Sequence, residues 1–315
     1  MITTIQQGTY TTIQDQGRWG YQAYGMPIAG AMDRYAYSVA NLLVGNISTA
    51  AVLEMTELGG TFKFDEEQMV ALCGGDMQGT VNDVPIVNWS SFLVPKKGYI
   101  RLDRSTTGYR AYLSVRGGFE VPMVLGSRST YTRAKVGGHE GRALRQGDVL
   151  YVGGDHGFTV QPWNLPRHYI PQYTSTITLR VILGPQDHMF SKNAIHIFFN
   201  SVYRVTEQAG RTGYRLKGAT IKPLGNIDIV SDAMCLGAIQ ISANNMPFIM
   251  TADHQTTGGF AKIGTVIWAD LSKLAQARPG DSIHFQLVTE EEAIENLSDE
   301  KQCLIEIDRM CKIHD

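Results

Sequence analysis

Short apolar runs, alternating or continuous, dominate the chain. Ile283-His284-Phe285-Gln286-Leu287 alternates strictly, the period of a strand with one wet face. TFKF (61–64), QMVALC (68–73), YIRLD (99–103), RAYLSV (110–115) and DVLYVG (148–153) carry β-branched and aromatic residues between turn formers. So do TITLRVIL (176–183), GAIQIS (237–242), PFIMT (247–251) and SIHFQLV (282–288), and each predicts a short strand. Many such strands with Gly-rich connections predict a mainly β fold built of sandwiches or barrels.

Helical periodicity is rare. MDRYAYSVANLLVGN (32–46) places Ala36, Val39, Ala40 and Leu43 on one face, with Asp33 as N-cap and Gly45 as stop. DLSKLAQA (270–277) predicts a shorter helix capped by Asp270. The acidic tail 291–315 predicts a surface helix or two.

The segment 160–176, VQPWNLPRHYIPQYTST, holds three prolines and little periodicity, which places a domain junction there. The expected division is 1–165, 176–290 and the helical tail 291–315. Two echoes straddle the junction. TGYR occurs at 107–110 and 212–215, and GRALRQGDVLYVG (141–153) resembles LAQARPGDSIHFQ (274–286), as two related β domains would.

Composition narrows the classes. The chain has 315 residues, 43% hydrophobic and 18% charged, enough for a sizeable core in two domains. A net charge of −2 gives no case for nucleic acid or an anionic membrane. No apolar run reaches the ~18 residues of a membrane span. The start lacks a signal peptide's basic and apolar regions, so a cytoplasmic location is expected. Cys73, Cys235, Cys303 and Cys311 include no C-x-x-C pair, and the eight histidines, His156 and His314 among them, show no ligand spacing. No metal site is expected.

Four stretches carry candidate chemistry. In ADHQTTGGFAKIG (252–264), Gly258-Gly259 could form a backbone nest for an anion and Lys262 could neutralise it. Gln255, Thr256 and Thr257 could orient the ligand, and Asp253 could accept a ligand N–H or act as a base. The same letters suit an ordinary hairpin or bulge. In EQAGRTGYRLKG (207–218), strand alternation would send Arg211 and Arg215 to one face, a clamp for carboxylate or phosphate or else a solvated basic strand. MPIAGAMDRYA (26–36) leads a Gly-containing loop into a helix N-terminus, where Asp33 is either a ligand neighbour or simply the cap. VLGSRST (124–130) sets Arg128 between hydroxyls, as a pocket wall or a plain loop. No G-x-x-x-x-G-K-[ST], G-x-G-x-x-G or G-x-S-x-G is present.

These stretches resemble the allophanate hydrolase subunit 2 family, also called biotin-dependent carboxyltransferase-like. The resemblance rests on residues 11–46, GSRST (126–130), LGPQDHMF (183–190), QAGRTGYRLKG (208–218), GAIQIS (237–242) and residues 252–281. It implies two cyclophilin-like β-barrel subdomains with a few short helices. For a stand-alone chain of this size it implies a subunit, inactive alone, of an ATP-dependent 5-oxoprolinase that opens the 5-oxoproline lactam to glutamate. Companion subunits B and A would be partners, and ATP, with magnesium, would be held in the complex.

On that resemblance Asp253, Lys262 and Arg215 are catalytic. Arg211, Gln240, Gln255, Thr256, Thr257, Gly258, Gly259, Arg128 and Asp33 bind the substrate. The family also implies two alternatives, a regulatory protein that antagonises a kinase inhibitor and half of a biotin-dependent carboxyltransferase. The chain has no Ala-Met-Lys-Met, so no covalent biotin is expected on it. It departs from the family at Phe260-Ala261, at Asp232 (usually Glu) and at Asn244-Asn245-Met246.

Overall fold

A computed structural model describes residues 1–154 and 161–313. His156, His314 and residue 160, where the expected junction begins, lie outside the described residues. The chain divides into two compact units. The first is Met1–Arg18, Ala29–Tyr173 and Lys301–Asp315, and the second is Trp19–Ile28 and Thr174–Glu300. The boundary between residues 173 and 174 falls inside the proline-rich segment. Neither unit is contiguous, however, which the expected division did not anticipate. Trp19, 6.1 Å from the ring of Trp268, shows why residues 19–28 group with the second unit.

The first unit carries a seven-stranded and a five-stranded sheet. Their inner faces share one core. Ile2, Phe62, Phe64, Ile100 and Leu150 come from the larger sheet, and Ile13, Leu53, Val70, Leu72 and Leu113 from the smaller. The strand Gln68–Asp76 is buried along nearly all its length rather than alternately. The helix Arg34–Leu43 explains this by covering the sheet's other face, where Ala36, Val39, Ala40 and Leu43 meet Ala71, Cys73 and Tyr112. Asp33 caps that helix as expected, accepting the Ala36 N–H at 2.9 Å.

The second unit closes into a seven-stranded barrel. In order its strands are Thr176–Leu183, Lys262–Val266, Ala238–Ile241, Pro247–Met250, Gly213–Lys217, Tyr203–Ala209 and Ser282–Leu287. Leu179, Val181, Tyr203, Tyr214, Ile239, Ile249 and Ile263 are buried in it. A two-stranded ribbon, Asp228–Ala233 with Thr257–Phe260, stands apart from the barrel sheet.

Some elements differ from expectation. Lys192–Asn200 is a helix capped by Ser191, although its aromatic run reads equally well as strand. The tail is helical as expected, in a single helix, Glu290–Ile313. Asp270 occupies the N-cap position of Leu271–Ala275 as expected, but its side chain makes no capping hydrogen bond. Its carboxylate is fully buried and accepts from Arg180 at the backbone N–H (2.7 Å), Nε (3.0 Å) and Nη2 (2.6 Å), and from Lys273 (2.8 Å). This joins the first barrel strand to the short helix.

Burial raises the Asp270 pKa, but the bonds from Arg180 and Lys273 outweigh burial and hold it below the usual 3.8. A group whose folded pKa is depressed stabilises fully above its unfolded value, and that stabilisation is lost as pH falls through the folded value. Asp270→Asn is therefore expected to cost about 3 kcal/mol at neutral pH. The penalty should shrink progressively below pH ~4. Urea titrations of both proteins at several pH values measure this, and a pH-independent difference would contradict it.

Candidate functional site

Strand pairing gathers the candidate chemistry of the second unit on the outside of the barrel. Lys262 lies opposite Gln240, Gln240 opposite Phe248, and Phe248 opposite Arg215. Directly opposed residues share a face, so four adjacent strands present one row, Lys262–Gln240–Phe248–Arg215. The alternate residues Tyr214, Leu216, Ile239, Ile241 and Ile249 fill the interior. Pairing shifts by one residue between Ile239 and Gln240, so Lys262 rather than Ile263 meets Gln240.

The two ends of the row differ. Gln240 and Lys262 are 2% and 4% exposed, roofed by the ribbon. Gly258 makes this seating possible, since a Cβ there would lie 2.3 Å from Met234 Cε and 2.6 Å from Gln240 Nε2. Gln240 Nε2 donates to the Phe260 carbonyl at 3.0 Å. Lys262 Nζ donates to the Asp232 carboxylate and to the Ala233 carbonyl at 3.0 Å, and its backbone N–H to Gln186 Oε1 at 3.2 Å. The Lys262 ammonium beside Asp232 holds that carboxyl below its usual range.

Phe248 and Arg215 instead open on a groove of ≈ 420 Å³ walled also by Thr206, Glu207 and Gln208. The Arg215 guanidinium sits 4.8 Å from the centre of the Phe248 ring. It makes no side-chain hydrogen bond among the described residues. Gly213 lets the ring lie over the neighbouring strand, because a Cβ there would come within 2.5 Å of it.

Three expectations need correction. Gly258-Gly259 do not form a nest. Both lie in the strand Thr257–Phe260, with Asp232 opposite Gly258, and at Gly258 the lack of a side chain serves close packing. Arg211 and Arg215 do not converge. The strand begins at Gly213, so alternation does not reach Arg211, which is buried while Arg215 is exposed. Asp253 is not an open base. Arg211 binds both its oxygens, Nε to Oδ2 at 3.0 Å and Nη2 to Oδ1 at 2.8 Å, and the pair is buried.

The remaining predicted residues are dispersed. Gln255 and Thr257 are exposed, and Thr256 receives the Met234 N–H at its carbonyl at 2.9 Å. Asp33 and Arg128 belong to the first unit. Asp33 is the buried cap described above, and Arg128 Nε donates to the Val121 carbonyl at 3.2 Å.

Sequence reasoning passed over Asp232, Gln186, Phe248 and His254. The first two lie in segments that carried the resemblance or marked a departure from it, whereas Phe248 is found only through register. His254 is fully buried, and burial lowers its pKa, so the ring is neutral near pH 7. Its Nδ1 donates to the Gln255 carbonyl at 2.6 Å, and Nε2 has no partner among the described residues. No group of three or more His, Cys, Asp or Glu among the described residues is placed to hold a metal. No helix of the described residues is long and apolar enough to cross a membrane.

Comparison with known proteins agrees with this architecture. The family described as carboxyltransferase domain, subdomain A and B, matches residues 24–287, and the chain belongs to it. It is 34% identical over 304 residues to the C subunit of 5-oxoprolinase from Escherichia coli (strain K12), covering 96% of each chain. It is 36% identical over 298 residues to the urea amidolyase of Saccharomyces cerevisiae, covering 88% of this chain and 16% of that one. The crystal structure of the K. lactis urea amidolyase superposes with a TM-score of 0.93 and 31% identity. That match covers 97% of this chain but only 20% of the larger one, so the chain spans about a fifth of it.

The two arginines should separate cleanly in stability. Arg211→Ala removes the two-pronged partner of the buried Asp253 carboxylate and should cost about 3 kcal/mol. Arg215→Ala removes an exposed cation–π contact and should cost no more than about 1 kcal/mol. Equal denaturation midpoints for the two variants would show that the Arg211–Asp253 pair does not hold the structure.

Proposed function

We propose that this chain is the lactam-contacting member of an ATP-dependent 5-oxoprolinase, acting with companion subunits B and A. The observation that carries the reading is the row Lys262–Gln240–Phe248–Arg215, whose order matches the parts of 5-oxoproline. Support comes from the Escherichia coli relative, whose match covers 96% of each chain, whereas urea amidolyase is far longer.

The chemistry follows from the row. The overall reaction takes 5-oxoproline, ATP and two waters to glutamate, ADP, phosphate and a proton, one water opening the lactam and the other accounting for the phosphate released from ATP. Water's oxygen joins the lactam carbonyl carbon, the ring C–N bond breaks and the nitrogen gains protons. Arg215 receives the substrate carboxylate in a two-pronged bond, and Phe248 supports the ring. Gln240 Oε1 accepts the lactam N–H. Lys262 turns an N–H toward the lactam oxygen, where negative charge grows as the carbonyl is attacked. Asp232 and the Ala233 carbonyl hold the ammonium in place. Substrate enters from the open groove, and the ribbon must lift from Gln240 for the amide to reach Lys262.

A triphosphate with magnesium does not fit this donor set. It offers one ion-paired lysine and an amide, with no carboxylate cluster for the metal among the described residues. On this reading ATP is held by the companion subunits, and the residues of this chain act on the lactam.

A second reading rests on the close superposition with urea amidolyase: the same row would hold an amide that accepts a carboxyl group from carboxybiotin on another chain. Both readings are tested by mixing the three subunits with ATP and 5-oxoproline and measuring glutamate while omitting each in turn. Glutamate release that requires this chain is the expected result. In that mixture Arg215→Ala and Lys262→Met should each lower kcat/KM by about 100-fold, with the complex still forming on gel filtration. No glutamate from a folded, associated mixture would remove the oxoprolinase reading.

A further inference from the structure

The first unit contains its own cavity, of ≈ 270 Å³, walled among others by Asn46, Gly117, Gly118, Glu120, Arg128 and Gly154. Its walls are held rigidly. Asn46, 8% exposed, donates Nδ2 to the Val115 carbonyl at 2.8 Å and accepts the Gly117 N–H at 2.8 Å. Tyr37 donates its hydroxyl to the carbonyls of Ser48 (2.8 Å) and Ala50 (3.0 Å), which fixes the loop after Asn46. The turns at Gly117 and Gly153 touch as only glycine allows, since a Cβ on Gly117 would lie 2.4 Å from the Gly153 carbonyl oxygen.

Two residues of opposite charge, half-buried Arg128 and exposed Glu120, line this cavity and form no ion pair with each other. Arg128 is anchored by its backbone N–H on the Asp15 carboxylate at 2.5 Å and by Nε on the Val121 carbonyl. Its two terminal nitrogens make no hydrogen bond among the described residues. Glu120 lines the same cavity, and it too has no ion-pair partner among them. A simple anion would meet the glutamate, and a simple cation the arginine. A molecule carrying both charges satisfies both walls.

We propose that this cavity binds a free α-amino acid as its zwitterion, the carboxylate on Arg128 and the ammonium on Glu120. Ile47, Ala50 and Phe119 supply apolar walls for a small aliphatic side chain. The site rejects 5-oxoproline, whose amide nitrogen carries no charge for Glu120. This inference does not rest on the function proposed for the second unit, and its test requires neither companion subunits nor turnover.

The experiment is isothermal titration of the full chain with L-alanine, acetate and 5-oxoproline, each to about 10 mM, enough to register millimolar affinity. L-Alanine should bind at least tenfold more tightly than either of the others. Arg128→Gln and Glu120→Gln, each checked for native circular dichroism, should each weaken alanine at least tenfold. Arg128→Lys should retain part of the affinity. Absence of alanine binding, acetate binding equal to alanine, or alanine binding unchanged in the Gln variants would each overturn the proposal.

Discussion

Antiparallel register is the constraint on which the candidate site depends. Each residue of the row is contributed by a different strand, and only Gln240 and Phe248, on consecutive strands, are close in sequence. Neighbouring strands lie about 4.8 Å apart, so the row extends roughly 14 Å along the outer face from Lys262 to Arg215. The single shift of pairing beside Gln240 decides its membership, because an unshifted strand would set Ile263 in place of Lys262. The long end residues narrow the span. Lys262 reaches the Ala233 carbonyl, next to Met234, which belongs with Ala238 and Met250 to the buried cluster that Phe248 packs against.

Around the row, charge is handled in two ways. Arg211 and Asp253 satisfy one another in a buried two-pronged pair, which ties the turn after Met250 to the segment before Gly213. The Asp253 N–H donating to the Arg211 carbonyl at 2.7 Å adds a backbone link to the same joint. Such a pair stabilises geometry more than it offers chemistry. Lys262 and Arg215 are placed differently. One is roofed but bound to an exposed carboxylate, and the other lies on an aromatic ring facing a groove. The glycines connect these patterns by letting the ribbon seat on Gln240 and the Phe248 ring cross a strand.

Much of this was legible from the letters. Alternation and β-branched runs identified most barrel strands, and Asp33 with the face Ala36–Val39–Ala40–Leu43 located the first helix and its cap. Less visible was anything set by long-range pairing. Phe248 reads as one more strand aromatic until Arg215 is found opposite it. Arg211 and Asp253 look like open charges because nothing local reveals that residues 42 apart form one pair. The glycine pair read as a nest because extended and left-handed glycine share one letter, and tertiary packing chose between them.

The measurement that tests the central claim most directly is a structure of this chain with its companion subunits and bound 5-oxoproline. The account predicts the ring on Phe248, the carboxylate on Arg215 and the lactam amide between Gln240 and Lys262, with the Thr257–Phe260 ribbon displaced from Gln240. A lactam bound elsewhere, with Arg215 and Lys262 contacting no ligand, would contradict it.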